Sequence, residues 1–445
     1  FKDVFLKGLA PDGGLFIPKK IQKYSDSELV SIAKLNYIDL TKEILSRFCG
    51  EDLQDKELEN IVKKSYSNFS AKNIVNLKKV GKVSLVELFH GPTLAFKDIA
   101  MQPIGNIYEK FIKLDNKKIN IIVATSGDTG SAAIAGLNGK SNINVFVLHP
   151  DNRISNVQRR LMTTIDSKNI FNIAIKGNFD DCQRLVKAMF ADKKFREKIN
   201  MSGVNSINWA RIVFQVVYYF FVGLRFLKRP ISFSVPTGNF GDVYAGFVAF
   251  KMGLPINRLI VATNENDILH RFFNNGEYKV NNVSKTSSPS MDIQIASNFE
   301  RLLFELLGRS SKLTKNKMND LDNNGIIDIS KEELKIANNI FSSGKAEMND
   351  VNTIINQVFS ESGYLLDPHT AVGLHASRQH NDNSHLNCIL ATASPVKFSE
   401  TVEGAINKNL NLLEGYDSLF KSSEKYVALS NNVDEVKDQI LTKNS

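Results

Sequence analysis

Residues 119–133 read INIIVATSGDTGSAA. The first six, Ile119 to Ala124, form a short apolar run rich in β-branched side chains, the pattern of a strand buried on both faces. The residues that follow are Thr, Ser, Gly and Asp, which favour a turn, and from Gly130 to Asn138 small side chains return in a helical pattern. A buried strand that runs through a glycine-containing turn into a helix is half of a β-α-β unit, the unit from which parallel sheets are built.

The same rhythm continues on both sides. Val83–Leu88 reads as a strand and Lys97–Lys113 as a helix. Strands are expected again at Asn144–Leu148, Ile170–Ile175, Ile231–Val235, Arg258–Thr263 and Asn387–Leu390. Helices are expected at Asp180–Ala191, from Trp209 onward, and at Val243–Met252. The chain is therefore expected to be α/β with mainly parallel sheets. At 445 residues it exceeds a single small core, so two lobes are expected. Residues 1–85 are assigned to an N-terminal segment on the larger lobe, 86–225 to a smaller lobe and 226–445 to the larger one. Within the first segment, Gly8–Pro18 reads as a loop and short strand, while Ser27–Phe48 and Leu53–Phe69 read as helical, with Ser27 and Asp55 as starts. The polar stretch 308–350 reads as a surface helical insertion, with helical periodicity regained at Ile336–Phe341 and Val351–Phe359.

Composition narrows the function classes. With 42% hydrophobic and 23% charged residues, the chain has the make-up of a soluble globular protein. Its most apolar stretch, Ile212–Leu227, reads as a buried helix and not a membrane span. The formal charge is +9, yet the lysines are scattered and no basic stripe alternates with aromatics, so nucleic acid is not an expected partner. Cys49, Cys182 and Cys388 are too few and too widely spaced for a disulfide framework or a zinc site, which suits a reducing, cytoplasmic setting. The chain begins at Phe1 without an initiator Met, so further residues are expected upstream.

In parallel α/β sheets ligands bind at the carboxyl ends of strands. Four loops follow such ends. In His90-Gly-Pro-Thr-Leu-Ala-Phe-Lys97-Asp98 a lysine opens a helix beside an apolar wall, where the dipole and a dry setting favour the neutral amine. The alternative is a solvated helix-start lysine. TSGDTGS at 125–131 offers amides and hydroxyls to an anion, or is a plain capped turn. PTGNFGD at 236–242 has two glycines that let consecutive amides form a phosphate-sized nest, without the sequence of a P-loop or dinucleotide fingerprint. In LATASP at 390–395 a hydroxyl can meet a ring nitrogen or cap the next turn.

Taken together, HGPTLAFKD, TSGDTGSAA and PTGNFGD resemble the threonine synthases, specifically the longer microbial and fungal type. Further matching stretches run in family order from Gly8–Pro18 to Leu390–Phe398, across essentially the whole chain. The resemblance implies a tryptophan-synthase-β-like (fold type II) enzyme with pyridoxal 5'-phosphate between two α/β lobes. It implies Lys97 as the Schiff-base lysine and Gly238, Asn239, Phe240, Gly241 and Asp242 as the cofactor-phosphate loop and its neighbours. Thr392 matches the position facing the pyridine nitrogen, and Ser126, Gly127, Asp128 and Thr129 match the loop holding the substrate's α-carboxylate. Asn208 and Arg211 are the implied contacts to substrate phosphate. The implied reaction turns O-phospho-L-homoserine and water into L-threonine and phosphate, with Lys97 moving the α-proton. A monomer or small homo-oligomer is expected.

One position departs from the pattern. Ser394 stands where many relatives have His after Thr-Ala, which leaves open a phospho-lyase releasing 2-oxobutyrate from the same substrate. Two rival site readings are weaker. Asp320–Asp328 copies the first part of a calcium-binding EF-hand loop, but Lys331 occupies its terminal carboxylate position, so a polar turn capping a helix from Ser330 is expected. His369, His375, His380 and His385 lack zinc-helix spacing; no metal site is expected, and His369 is read as structural.

Overall fold

In the computed structural model, which describes residues 1–71, 73–115, 118–152, 154–380 and 385–444, the apolar runs become the centres of two sheets. The smaller sheet orders its strands Val427–Leu429, Ile170–Ile175, Ile143–Pro150, Ile119–Ala124 and Met201–Ser202, all parallel. Every residue of Ile143–Pro150 is buried, as a central strand covered on both faces requires. The larger sheet runs Asn76–Val80, Val83–Glu87, Leu386–Ala391, Ile231–Pro236, Ile256–Thr263 and Phe341–Lys345. Only its first pair is antiparallel. The α/β reading with mainly parallel sheets therefore describes this chain.

Helix Trp209–Gly223 is buried at every residue. Its apolar run is long enough to cross a membrane, but 89% of it lies inside the protein, so it is a core helix. Helix Tyr37–Cys49 packs against it: the Tyr37 and Phe221 ring centroids lie 5.1 Å apart and those of Phe48 and Trp209 5.9 Å apart. Helix Lys97–Asp115 packs against helix Asp128–Leu137 through Gly105 and Gly136, where a Cβ on Gly136 would sit 2.5 Å from the Met101 carbonyl. That crossing brings the N-termini of the two helices, and with them Lys97 and Asp128, side by side.

Several expectations are corrected. The lobes are not cut at 85/86 and 225/226, because 76–87 belongs to the larger sheet and Val427–Leu429 returns to the edge of the smaller one. Parallel strands are ordered by edge pairing, so a distant three-residue segment can complete a sheet without leaving a periodic signal. Gly8–Pro18 contains no strand; its Phe16 carbonyl instead accepts from the buried Arg301 guanidinium at 3.0 and 2.9 Å. Ser27 is inside a helix capped by Ser25, whose hydroxyl and Glu28 form a capping box. Within 308–350, helices Ser311–Asn324 and Lys331–Asn338 fit the insertion reading, but Phe341–Lys345 is a sheet-edge strand. Asp320, Asp322 and Asn324 lie in the first of these helices, so they do not form an ion-binding loop, and Ser330 caps the second.

Candidate active site

The carboxyl ends of both sheets open on one cleft. Residues from all four loops line it: Phe96 and Lys97, Asp128 and Thr129, Pro236 through Asp242, and Thr392 with Ala393. The first and last loops are zipped together. Leu88 N–H donates to Ala391 (3.0 Å), Phe96 N–H to Thr392 (2.8 Å) and Ser394 N–H to Leu94 (3.0 Å). The last two bonds close a short antiparallel bridge between Ala95 and Ala393, which sets Lys97 and Thr392 on the same wall of the cleft.

Lys97 is the first residue of its helix and 9% exposed. Burial pushes its amine below the ordinary lysine range; Asp128 opposes that shift, while Lys397 and Arg211 add to it. Its Nζ donates to Asp128 Oδ2 at 3.0 Å and lies 5.0 Å from the Phe96 ring centre. Asp128 is a hub. Ser290 Oγ donates to the same oxygen at 2.9 Å, and Gln158 Nε2 (2.9 Å) and Lys397 Nζ (2.6 Å) reach Oδ1. Burial would raise the Asp128 carboxyl, but the charges of Lys397 and Lys97 hold it well below the usual carboxylate range. His369 accepts from Ser290 N–H through Nε2 (3.3 Å), and its Nδ1 faces Asp367 Oδ1 at 2.9 Å, which fixes the tautomer with the proton on Nδ1.

The opposite wall is the loop after Ile231–Pro236. Phe240 adopts φ 64°, ψ 0°, a left-handed conformation rare for a bulky side chain, and is held there by packing against Phe273, Phe299 and Phe341. Helix Gly241–Lys251 starts at once, directing its first amides, which have no partner within the helix, toward the cleft. Gly238 is needed for close approach: a Cβ there would lie 2.5 Å from the Ser290 carbonyl. Behind the loop, Asp242 Oδ1 accepts from the hydroxyls of Tyr218 and Tyr219, and burial pushes its pKa up to about 6.

These residues fit pyridoxal phosphate. Three buried polar atoms at the cleft have no protein partner: Arg211 Nε, Gln215 Oε1 and Asp242 Oδ2. Burial lowers the Arg211 guanidinium to about 10. Buried polar atoms of this kind are normally satisfied, and all three belong to residues that line one cleft, which fits a polar guest there. A buried amine faces them across a cleft with a glycine cradle and a helix N-terminus, the donor set for a phosphate-bearing aldehyde.

Of the residues singled out from sequence, Lys97, Asp128, Thr129, Arg211, Gly238, Asn239, Phe240, Gly241, Asp242 and Thr392 line the cleft together. Ser126 and Gly127 lie in the adjoining turn, organised by Thr125 Oγ1, which accepts from Gly127 and Gly130 N–H at 2.9 Å each. Asn208 does not join the cleft lining. Its amide donates to the Phe5 carbonyl and its oxygen accepts from Ala210 N–H, both at 3.0 Å, so it caps the core helix and anchors the N-terminal one. The Asp128 carboxylate is engaged by four donors, which leaves anion binding by this loop to its amides and hydroxyls. Ser394 is a cap whose Oγ accepts from Val396 N–H. Sequence reasoning missed Gln215 and Ser290 as cleft groups, and Gln158 and Lys397 as the groups holding Asp128 in its wall; His369 lines the cleft too.

Comparison with known proteins gives three family matches: "Threonine synthase N terminus" over residues 1–66, "Pyridoxal-phosphate dependent enzyme" over 72–327 and "Threonine synthase, C-terminal" over 370–440. Threonine synthase of Pseudomonas aeruginosa is 43% identical over 441 residues, 98% of this chain and 94% of that one. The Saccharomyces cerevisiae threonine synthase is 40% identical over 92% of this chain and 86% of its own. The crystal structure of pyridoxal-phosphate-bound threonine synthase from Brucella melitensis superposes with a TM-score of 0.95 at 41% identity, covering 99% of this chain and 96% of that one.

Proposed function

Because the chain belongs to the threonine synthase family of pyridoxal-phosphate enzymes, we propose that it converts O-phospho-L-homoserine and water into L-threonine and phosphate, with Lys97 carrying the cofactor. The observation that carries this assignment is the buried Lys97 amine, docked on Asp128 and facing the glycine cradle across the cleft. When bound, pyridoxal phosphate supplies an electron sink for negative charge developing beside the substrate amine.

The protein's own groups do the rest. With the cofactor bound, the helix 241–251 amides and the Gly238–Asp242 turn would hold its phosphate, and the Thr392 hydroxyl would be a neutral partner for its ring nitrogen. Ser126, Thr129 and the 126–129 amides hold the substrate α-carboxylate. Arg211, on the core helix, takes the substrate phosphate; its unpaired buried Nε, a donor, supports this reading. Lys97, favoured as a neutral amine by burial, removes the α-proton from the substrate carbon and holds it on Nζ within reach of Asp128 and Ser290. The apolar surfaces of Phe96 and Met291 restrict water at that atom until the phosphate has left.

The substrate is a small molecule, and the proposed setting is the cytoplasm, as a monomer or small homo-oligomer. The three cysteines, all free and buried, support a reducing compartment. Product analysis tests the assignment. The purified chain supplied with O-phospho-L-homoserine is expected to release threonine and phosphate in equal amounts. Phosphate with 2-oxobutyrate in place of threonine would contradict it and favour the lyase reading that Ser394 leaves open.

A further inference from the structure

The geometry points to Lys397 as a positioning residue for Lys97: its buried ammonium pins one oxygen of Asp128 so that the other is presented to the Lys97 amine. The inference rests on the proposed role of Lys97. No part of the mechanism above uses Lys397, yet its side chain is 0% exposed. A buried ammonium costs several kcal/mol unless it is paired and hydrogen-bonded, so such a residue needs a reason.

The reason is a closed ring of contacts. Lys397 Nζ reaches Asp128 Oδ1 at 2.6 Å and donates to the Thr93 carbonyl at 2.9 Å. Thr93 is held in turn by Asp98, whose Oδ2 accepts from its N–H (2.7 Å) and whose Oδ1 accepts from its hydroxyl (2.8 Å). Asp98 is the residue next to Lys97, and Lys97 Nζ returns to Asp128 Oδ2 at 3.0 Å. The ring therefore runs from Lys97 through Asp128, Lys397, Thr93 and Asp98 back to the start of the same helix. The Lys397 backbone braces it: the Lys397 carbonyl accepts from Ser155 Oγ (3.3 Å), the cap of the helix bearing Gln158, the other donor to Asp128 Oδ1. With two donors on each carboxylate oxygen, Asp128 cannot rotate.

The charge of Lys397 matters as much as its place. A lone buried carboxylate 3.0 Å from Lys97 would hold that residue as an ammonium, which is neither nucleophile nor base. A second cation on the same carboxylate offsets this attraction, so Asp128 docks the amine without trapping its proton. Arg211, Asp242 and His369 are the other charged or titratable groups that act on this pair, from helices 209–223, 241–251 and 368–379.

The test is a titration of the Lys97 amine in the full-length chain freed of cofactor, by trace acetylation across pH with the Lys97 peptide read by mass spectrometry. Lys397→Met is expected to raise the midpoint, lowering Lys97 labelling near neutral pH by about tenfold, the effect of one pKa unit. Lys397→Arg, which keeps the charge, is expected to restore it. Asp128→Asn, which leaves Lys397 in place, is expected to move the midpoint down and provides a second arm should the Met variant not fold. A midpoint unmoved or lowered in Lys397→Met, unrestored by Lys397→Arg, or unmoved in Asp128→Asn overturns the inference. Because no cofactor is bound during the titration, its result is independent of whether Lys97 carries pyridoxal phosphate, which the absorbance of the loaded chain reports separately.

Discussion

Gly238 is the residue at which the cradle is least tolerant. Its missing side chain lets the loop approach the Ser290 carbonyl, so Gly238→Ala must push the 290 segment or the loop aside. The variant is expected to lose stability in denaturant unfolding and to bind pyridoxal phosphate at least about tenfold more weakly in a fluorescence titration. At this scale the sequence was most informative where chemistry needs rare local combinations: a lysine after Gly-Pro, and glycine-rich turns after buried strands. It was silent where a group reaches the cleft from an ordinary-looking segment. Lys397 and Ser290 sit in short 3-10 turns and Gln215 amid the apolar core helix, and none carries a spacing that distinguishes it from a surface residue. Asn208 shows the converse, since a polar residue before a helix is equally a ligand and a cap, and here it is the cap.

At the scale of elements, the crossing of helices Lys97–Asp115 and Asp128–Leu137 sets the Lys97–Asp128 distance. A methyl group on Gly105 would overlap the Gly136 carbonyl, a backbone atom with no easy escape. Gly105→Ala is expected to cost about 2–4 kcal/mol in denaturant unfolding, with loss of cofactor affinity because the two helix starts separate. A variant as stable as the parent would show that this contact is loose. The buried strands were legible because continuous β-branched runs have few other uses. Phe341–Lys345 was not: its sequence, FSSGK, has no β-branched residue, and an edge strand gains its hydrogen bonds from a neighbour distant in sequence. The partial ion-binding motif at 320–328 is discounted by its missing terminal carboxylate, and Asp320, Asp322 and Asn324 are polar residues of an exposed helix that ends at Gly325.

At the scale of the whole molecule, stability and site share their charges. Asp242 is buried with a pKa near 6 against an ordinary 3.8, so the folded chain keeps a proton that the unfolded chain has released between about pH 4 and 6. Its contribution therefore becomes more unfavourable as pH rises through that window and then levels off. Asp242→Asn removes this dependence. In cofactor-free protein its stability is expected to gain on the parent by on the order of 2–3 kcal/mol from about pH 4 to 6, read by denaturant unfolding at each pH. A constant difference would place the Asp242 pKa at its ordinary value. The two-lobed α/β plan was legible from the strand-helix rhythm, whereas the lobe boundaries were not, because residues 76–87 and 427–429 join sheets whose other strands lie far along the chain. What unites the lobes is one cleft into which four strand-end loops deliver a buried amine, a phosphate cradle and a ring-facing hydroxyl. The most direct measurement of that claim is borohydride reduction of the chain loaded with pyridoxal phosphate, followed by peptide mapping. The account predicts the reduced cofactor on Lys97 alone, and no visible absorbance or label in Lys97→Ala. Label on a different lysine, Lys397 included, or an undiminished signal in Lys97→Ala would contradict it.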